Sequence, residues 1–257
     1  MTRIAVLADI HGNSIALDAV LEDIQVQGGA DEYLVLGDLA AIGYDPVGTL
    51  DRLTHLPNVN FVRGNTDRYL VTGELPLPKI DGDHVKIALL DHLMGIASTI
   101  AWTKGAVTAA GWLPFLEKLQ VEYHAILPDN TRLLGVHAYP GHDDGGGFYP
   151  GMDQRVISSR LDGCESDLVC VGHTHVLMEA HAEGVHVVNP GSVSNPFPPD
   201  LRASYILLDA DQSGYQINPH YVDYDHDAVI KEVQRLKHPG GEYIIRGMRG
   251  QNTPRWN

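Results

Sequence analysis

Ile4-Ala5-Val6-Leu7-Ala8-Asp9-Ile10-His11-Gly12-Asn13 is the stretch that decides how the chain folds. Five consecutive apolar residues mark a strand buried on both faces, because a strand with one wet face would alternate. The run stops abruptly at an acid and an imidazole. Downstream, Leu17, Val20, Leu21 and Ile24 form one helical stripe, and Gly28-Gly29 ends that helix. Tyr33-Leu34-Val35-Leu36 is a second buried strand, ending in Gly37-Asp38. Pro46 suits the first turn of a helix running to about Leu53. Residues 59–62 make a third strand, ending in Arg63-Gly64-Asn65-Thr66-Asp67. The order β-α-β-α-β predicts an α/β fold with a parallel sheet covered on both faces. In such sheets ligands collect beyond the carboxyl ends of the strands.

The strand rhythm then pauses. Residues 68–120 read as a helical insertion, with helices expected over 85–96, where Leu89, Leu90, Leu93 and Met94 are apolar, and over 106–119. Segments 121–127 and 132–137 flank Pro128-Asp129-Asn130, a hairpin signal, and the second ends at His137. The Gly-rich loop 139–151 follows. Its glycines lack a following Lys-Ser/Thr, which argues against a nucleotide P-loop. A helix over 153–161 leads into Val169-Cys170-Val171-Gly172-His173-Thr174-His175, another buried strand ending in imidazoles. Segments 176–181 and 185–188, then 203–208 and 215–222, read as two hairpins of a second, partly antiparallel sheet. A helix over 225–236 precedes a tail containing Gly and Arg. No linker interrupts the sequence, so residues 1–257 are expected to form one domain.

Composition narrows the function. The 257 residues are 44% hydrophobic, enough for a sizeable core, and carry a formal net charge of −15. That charge repels nucleic-acid backbones and anionic lipid, so neither is an expected partner. An anionic substrate would need bound cations to offset it locally. Cys164 and Cys170 follow no metal spacing and read as reduced thiols. The apolar run before Asp9 is too short for a signal peptide, and no segment reaches membrane-spanning length; a cytoplasmic location is expected. Nothing in the sequence sets the oligomeric state.

The polar residues at strand ends are Asp9, His11, Asp38, Asn65, His137, His173 and His175. Alone, Asp9 and Asp38 would read as helix N-caps and Asn65 as a turn residue. Together with four imidazoles they form a nitrogen- and oxygen-rich set that suits first-row divalent ions, and too many ligands for one tetrahedral site. Two ions about 3.5–4 Å apart can clamp the attacking and leaving oxygens of a phosphoryl displacement.

Asp9-Ile10-His11, Gly37-Asp38, Gly64-Asn65-x-Asp67, His137 and Gly172-His173-Thr174-His175 occur in the order found in calcineurin-like metallophosphoesterases. The chain resembles that superfamily, and Asn189-Pro190-Gly191-Ser192 is similar to the corresponding segment of its small bacterial and archaeal YfcE-type phosphodiesterases. The resemblance implies two mixed β-sheets packed face to face, with helices outside. It implies Asp9, His11 and His175 on a first ion, Asn65, His137 and His173 on a second, and Asp38 bridging them. It also implies hydrolysis of a small phosphorylated substrate, a nucleotide or other phosphomonoester or phosphodiester, by a metal-bridging hydroxide, with Asp38, Asn65 and His173 catalytic. The metal would be Mn²⁺ first, then Fe, Ni, Co or Zn.

Thr66 stands where much of that family has a histidine. A hydroxyl cannot act as an acid near neutral pH, so leaving groups of low pKa would need the least help. Asn13, Thr66, Arg68, His142 and Ser192 are candidate substrate contacts by position, and His142 is a candidate stand-in for the missing acid. Asp67 reads as structural or as orienting a ligand. His55, His84, His92 and His220 read as surface or packing residues. The alternatives are a non-catalytic scaffold of the same fold, known from a retromer subunit that has lost ligands, and a protein phosphatase.

Overall fold

A computed structural model of the chain describes residues 1–76 and 87–254, with backbone only at 87–89, 91 and 92. His84, residues 85–86 of the first expected insertion helix, and the side chains of Leu89 and His92 lie outside the described residues. Two five-stranded sheets form the core.

The first sheet contains β1 (Thr2–Leu7), β2 (Glu32–Val35) and β3 (Val59–Phe61), all parallel. The helices α1 (Ser14–Val26) and α2 (Pro46–Thr54) connect them, as the apolar stripe and Pro46 predict. The second sheet contains β4 (Glu122–Ile126), β5 (Arg132–Val136), β6 (Leu168–Cys170), β7 (Leu177–Ala182) and β8 (Val185–Pro190), in the order β4-β5-β6-β8-β7. Its strands β5, β6 and β8 run parallel, and α6 (Gln154–Arg160) leads into β6.

Strand periodicity explains the layering. Along β1, Ala5 and Leu7 pack toward α1 and α2 with Leu17, Val20, Leu50 and Leu53. Ile4, Val6 and Ala8 point the other way, into a second cluster with Leu133, Leu168, Cys170 and Val188. That cluster joins the two sheets. Leu134, Val136, Val169 and Val187, on the far face of the second sheet, pack with Ile157 of α6 and with Leu161 at its C-cap. Each central strand is therefore wet on neither face, which is why its sequence is an uninterrupted apolar run.

Four expectations need correction. The last hairpin, β9 (Ala203–Asp211) and β10 (Gly214–Val222), joins the first sheet and not the second, giving the order β10-β9-β1-β2-β3. β9 pairs antiparallel with β1, Val6 opposite Ile206. Its run Tyr205-Ile206-Leu207-Leu208 is buried on both faces, as a central strand requires, while β10 is the half-exposed edge. The insertion holds one long helix, α4 (Ile87–Ala109), and a single turn, α5 (Leu113–Leu116), in place of two similar helices. Gly95 and Gly105 do not break α4, because Leu93, Ile100, Thr103 and Val107 are buried along it. An unexpected helix, α3 (Asn65–Thr72), starts at a candidate ligand. The tail forms α8 (Gly241–Met248), whose Ile244 and Met248 pack on Val229 and Val233 of α7 (His226–Arg235). No helix among the described residues is long and apolar enough to cross a membrane.

Candidate metal centre

Each candidate ligand follows the carboxyl end of a strand: Asp9 and His11 after β1, Asp38 after β2, Asn65 after β3, His137 after β5, and His173 and His175 after β6. The two sheets bring these ends to one place, with Gly172 N–H donating to His137 O at 2.8 Å and His173 N–H donating to Asp9 Oδ2 at 3.0 Å. Asp9, His11, Asp38 and His137 are almost fully buried. Asp9, His11, Asp38, His173 and His175 have φ of 56°, 48°, 54°, 70° and 60°. Such left-handed backbone costs a non-glycine residue on the order of 1–3 kcal/mol and survives only where the surroundings over-determine it, most often at functional sites.

Hydrogen bonds fix the tautomers. His11, His137 and His175 each direct Nδ1 at a backbone carbonyl: Ala41 O at 3.0 Å, Leu36 O at 2.6 Å and Asn195 O at 3.0 Å. The proton therefore sits on Nδ1, and Nε2 turns a lone pair to the centre. His173 is reversed, with Nε2 donating to Gly145 O at 2.7 Å and Nδ1 free to accept.

Two groups of acceptors result. In the first, His11 Nε2 and His175 Nε2 are 3.1 Å apart, and Asp9 Oδ1 lies 3.3 Å from His175 Nε2 and 3.9 Å from His11 Nε2. In the second, Asn65 Oδ1 faces His137 Nε2 at 3.2 Å and His173 Nδ1 at 3.0 Å. Asp38 spans them, its Oδ2 3.6 Å from His11 Nε2 and its Oδ1 3.5 Å from His137 Nε2. The ligand atoms of Asp9, His11 and His175 lie within 4.8 Å of one another, as do those of Asp9, Asp38 and His137.

A divalent cation fits this donor set. Asp9 Oδ1 is buried and has no hydrogen-bond partner among the described residues. With the imidazoles neutral, their lone pairs face each other and a carboxylate or amide oxygen. Such an arrangement is repulsive unless a positive charge occupies the middle.

The same proximity shifts the titration of these groups in both directions. Burial alone would raise the Asp9 carboxyl, but the imidazoles of His175, His137 and His11 outweigh it and hold it at about 2. Burial lowers His11, and burial together with His137 lowers His173. Burial also opposes charge on His137 and His175, yet Asp38 and Asp9 raise the former, and Asp9 the latter.

Further residues brace the ligands. The fully buried Asp67 accepts from the backbone N–H groups of Asp38 at 2.9 Å, Leu39 at 3.0 Å and Gly64 at 2.9 Å. Burial and the Asp38 carboxylate raise its pKa, against the hydrogen bonds from Gly64 and Leu39. Ser192 Oγ donates to Asp9 O at 3.0 Å, and Asn189 Nδ2 donates to Gly172 O at 2.7 Å and Thr174 Oγ1 at 3.0 Å. The Asn189-Pro190-Gly191-Ser192 segment thus pins two ligand loops at once. The sequence offered no sign of Asn189, Asn195 or Gly145 beyond that motif and the run of glycines.

The four other candidate contacts are placed as follows. Thr66 is buried beside the second group, its N–H donating to Asp38 Oδ1 at 2.9 Å and its hydroxyl without a partner among the described residues. Asn13 caps α1, accepting from Ala16 N–H, and its amide donates to Ser194 Oγ at 3.3 Å. Arg68 is ion-paired with Asp143, Asp144 and Glu74. His142 is exposed, stacked on Tyr139 at 4.2 Å with Nδ1 on Pro140 O.

Known proteins resemble this chain over most of its length. The chain is 28% identical over 268 residues to an uncharacterized protein of Methanocaldococcus jannaschii, across 96% of this chain and 98% of that one. A hypothetical protein of Pyrococcus horikoshii OT3 has a similar solved structure, with TM-score 0.81, 21% identity and coverage of 98% and 100% of the two chains. A metallophosphoesterase of Sphaerobacter thermophilus is similar with TM-score 0.74, 23% identity and coverage of 98% and 99%. Residues 2–213 match the calcineurin-like phosphoesterase superfamily domain. The chain belongs to the calcineurin-like phosphoesterase superfamily.

Proposed function

We propose that the chain is a metal-dependent phosphoesterase with a dinuclear centre. Asp9, His11 and His175 hold one divalent ion, Asn65, His137 and His173 hold a second, and Asp38 bridges them. The observation that carries this is the convergence of two groups of ligand atoms with Asp38 between them. Two bound ions, Mn²⁺ first among the candidates, supply a water nucleophile at neutral pH and offset the charge of the transferring phosphoryl group. That supply also answers how a chain of net charge −15 accepts an anion.

The protein's own part is to fix the ligands and to orient the ester. The carbonyls of Ala41, Leu36 and Asn195 keep Nε2 of three histidines deprotonated and aimed inward. The Thr66 hydroxyl, at the start of α3, is buried beside the second group with no partner among the described residues. It cannot protonate a departing alkoxide. The substrate is therefore a small phosphoester with a good leaving group, aryl or nucleotidyl, in preference to an alkyl monoester. The test is hydrolysis of bis-p-nitrophenyl phosphate with Mn²⁺. Asp38→Ala should abolish turnover, and an unchanged rate would refute the site.

A further inference from the structure

The second acceptor group is closed by a ring of contacts through the Gly-rich loop. Asn65, Arg68 and Tyr69 stand at i, i+3 and i+4 of α3, so one helix face carries a ligand and two further polar groups. Arg68 Nε donates to Asp143 Oδ1 at 3.1 Å and Arg68 Nη2 to Asp144 Oδ2 at 3.0 Å. Tyr69 O–H donates to the same Asp144 oxygen at 2.7 Å, and Arg63 Nε donates to Asp143 Oδ2 at 2.7 Å. The pairs to Asp143 are largely shielded from water, a setting in which charge-assisted bonds are strongest, while those to the half-exposed Asp144 are not. Asp144 ends this acidic pair. The next residue is Gly145, whose carbonyl accepts from His173 Nε2 at 2.7 Å. His173 Nδ1 then faces Asn65 Oδ1, back on α3. The loop lies hard against this ring: a Cβ on Gly147 would sit 2.7 Å from Thr174 Cγ2 and 3.1 Å from His173 Cδ2.

His173 differs from the other three histidines in needing Nδ1, not Nε2, free. Its proton must be kept on Nε2, and the acceptor that keeps it there belongs to a loop with no regular secondary structure. The loop is tied at its two ends by Gly141 N–H to Glu122 and by Thr174 Oγ1 to Phe148 O, and among the hydrogen bonds described the side chains that reach Asp143 and Asp144 are Arg63, Arg68 and Tyr69. We propose that Arg68, supported by Tyr69, is a positioning residue for the second ion: it fixes residues 143–145 so that Gly145 O sets the tautomer and orientation of His173. This rests on the dinuclear reading. It goes beyond that reading in giving Arg68 a role toward one ion and not the other.

The test uses the full chain and the variants Arg68→Ala, Arg68→Lys and Tyr69→Phe, with Arg52→Ala as a control for a surface ion pair on α2. Mn²⁺ binding is followed by calorimetry and by the electron paramagnetic resonance of the coupled pair. Arg68→Ala should weaken the second ion by about 10–100-fold, the range for loss of an outer-sphere partner, and leave the first within about 3-fold. Arg68→Lys should fall between, since an ammonium reaches one carboxylate but not both. Tyr69→Phe should show a smaller weakening of the second ion only, and because Tyr69 also bonds the ligand Asn65, Arg68→Lys decides the matter if Arg68→Ala does not fold. Equal affinities in all variants, or a parallel loss of both ions, would overturn the clamp. A wild-type chain that binds fewer than two ions would instead overturn the dinuclear reading. In that case NMR of the metal-free chain still tests the clamp: the His173 Nε2–H should exchange with solvent at least about 10-fold faster in Arg68→Ala than in wild type or Arg52→Ala, and equal rates would refute it.

Discussion

Replacing Asp67 tests whether the ligand loops are held by one buried carboxylate. Asp67 is completely excluded from solvent and accepts three backbone N–H groups, from Asp38, Leu39 and Gly64. Those residues flank two of the ligands. In Asp67→Ala all three donors lose their partner. A buried donor left unsatisfied costs about 1–3 kcal/mol, so the sum is about 3–9 kcal/mol. Water entering the vacated space, and relief of a buried carboxylate beside Asp38, recover part of that, which places the expected loss in the lower half, about 3–5 kcal/mol. For a chain of this size 1 kcal/mol moves Tm by about 2–4 °C, so Tm should fall by about 6–20 °C. Asp67→Asn keeps an acceptor for the Asp38 and Gly64 donors, both of which use Oδ2, but turns an amide N–H₂ toward Leu39. One lost bond predicts about 1–3 kcal/mol and a smaller shift. Thermal unfolding followed by circular dichroism in the presence of chelator isolates this term from metal binding. An Asp67→Ala chain melting within about 2 °C of wild type would refute the bracing argument.

Three further outcomes follow from the same geometry. In Gly64→Ala the new Cβ would overlap the backbone nitrogen and Oδ1 of Asp38, so bound Mn²⁺ measured by elemental analysis should drop below half the wild-type amount; full metal content would contradict the close approach. Burial pushes the Cys170 thiol up to about 12, whereas Cys164 is half-buried, so iodoacetamide should label one thiol per native chain and two after denaturation. Two labels at equal rates in the native chain would place Cys170 outside the inter-sheet core. Mn²⁺ at about 100 times its dissociation constant should stabilise the chain by about 2.7 kcal/mol per site, a rise in Tm of about 5–11 °C that chelator reverses. No shift on adding Mn²⁺ would count against a folded-state metal site.

Much of the fold was legible because the central strands are buried on both faces. Residues 4–8, 33–36 and 169–171 each run buried and then stop at Asp9, Gly37-Asp38 and Gly172-His173, and the stops are where candidate ligands stand. What the sequence hid is mostly non-local. Nothing within 203–208 says that it pairs with β1 and not with β8, although its continuous apolar run was the trace of a central strand. The helix α3 was masked by Gly64-Asn65-Thr66, which reads as a turn; its signal was Asp67, whose carboxylate reaches back to Gly64 N–H at the helix start. The carbonyls of Leu36, Ala41, Asn195 and Gly145, which set the imidazole tautomers, carry no sequence signature, since every residue has one. Arg68 was visible only as a cation near the site. Glu74 lies near it in sequence, but its other two acid partners lie 75 and 76 residues away, in a loop whose composition shows glycine and not position.

Crystals soaked in Mn²⁺ and measured at the manganese absorption edge test the central claim most directly. The account predicts two anomalous peaks about 3.5–4 Å apart, one within coordination reach of Asp9, His11 and His175, the other of Asn65, His137 and His173, with Asp38 touching both. A single peak, or none, at saturating Mn²⁺ would contradict it.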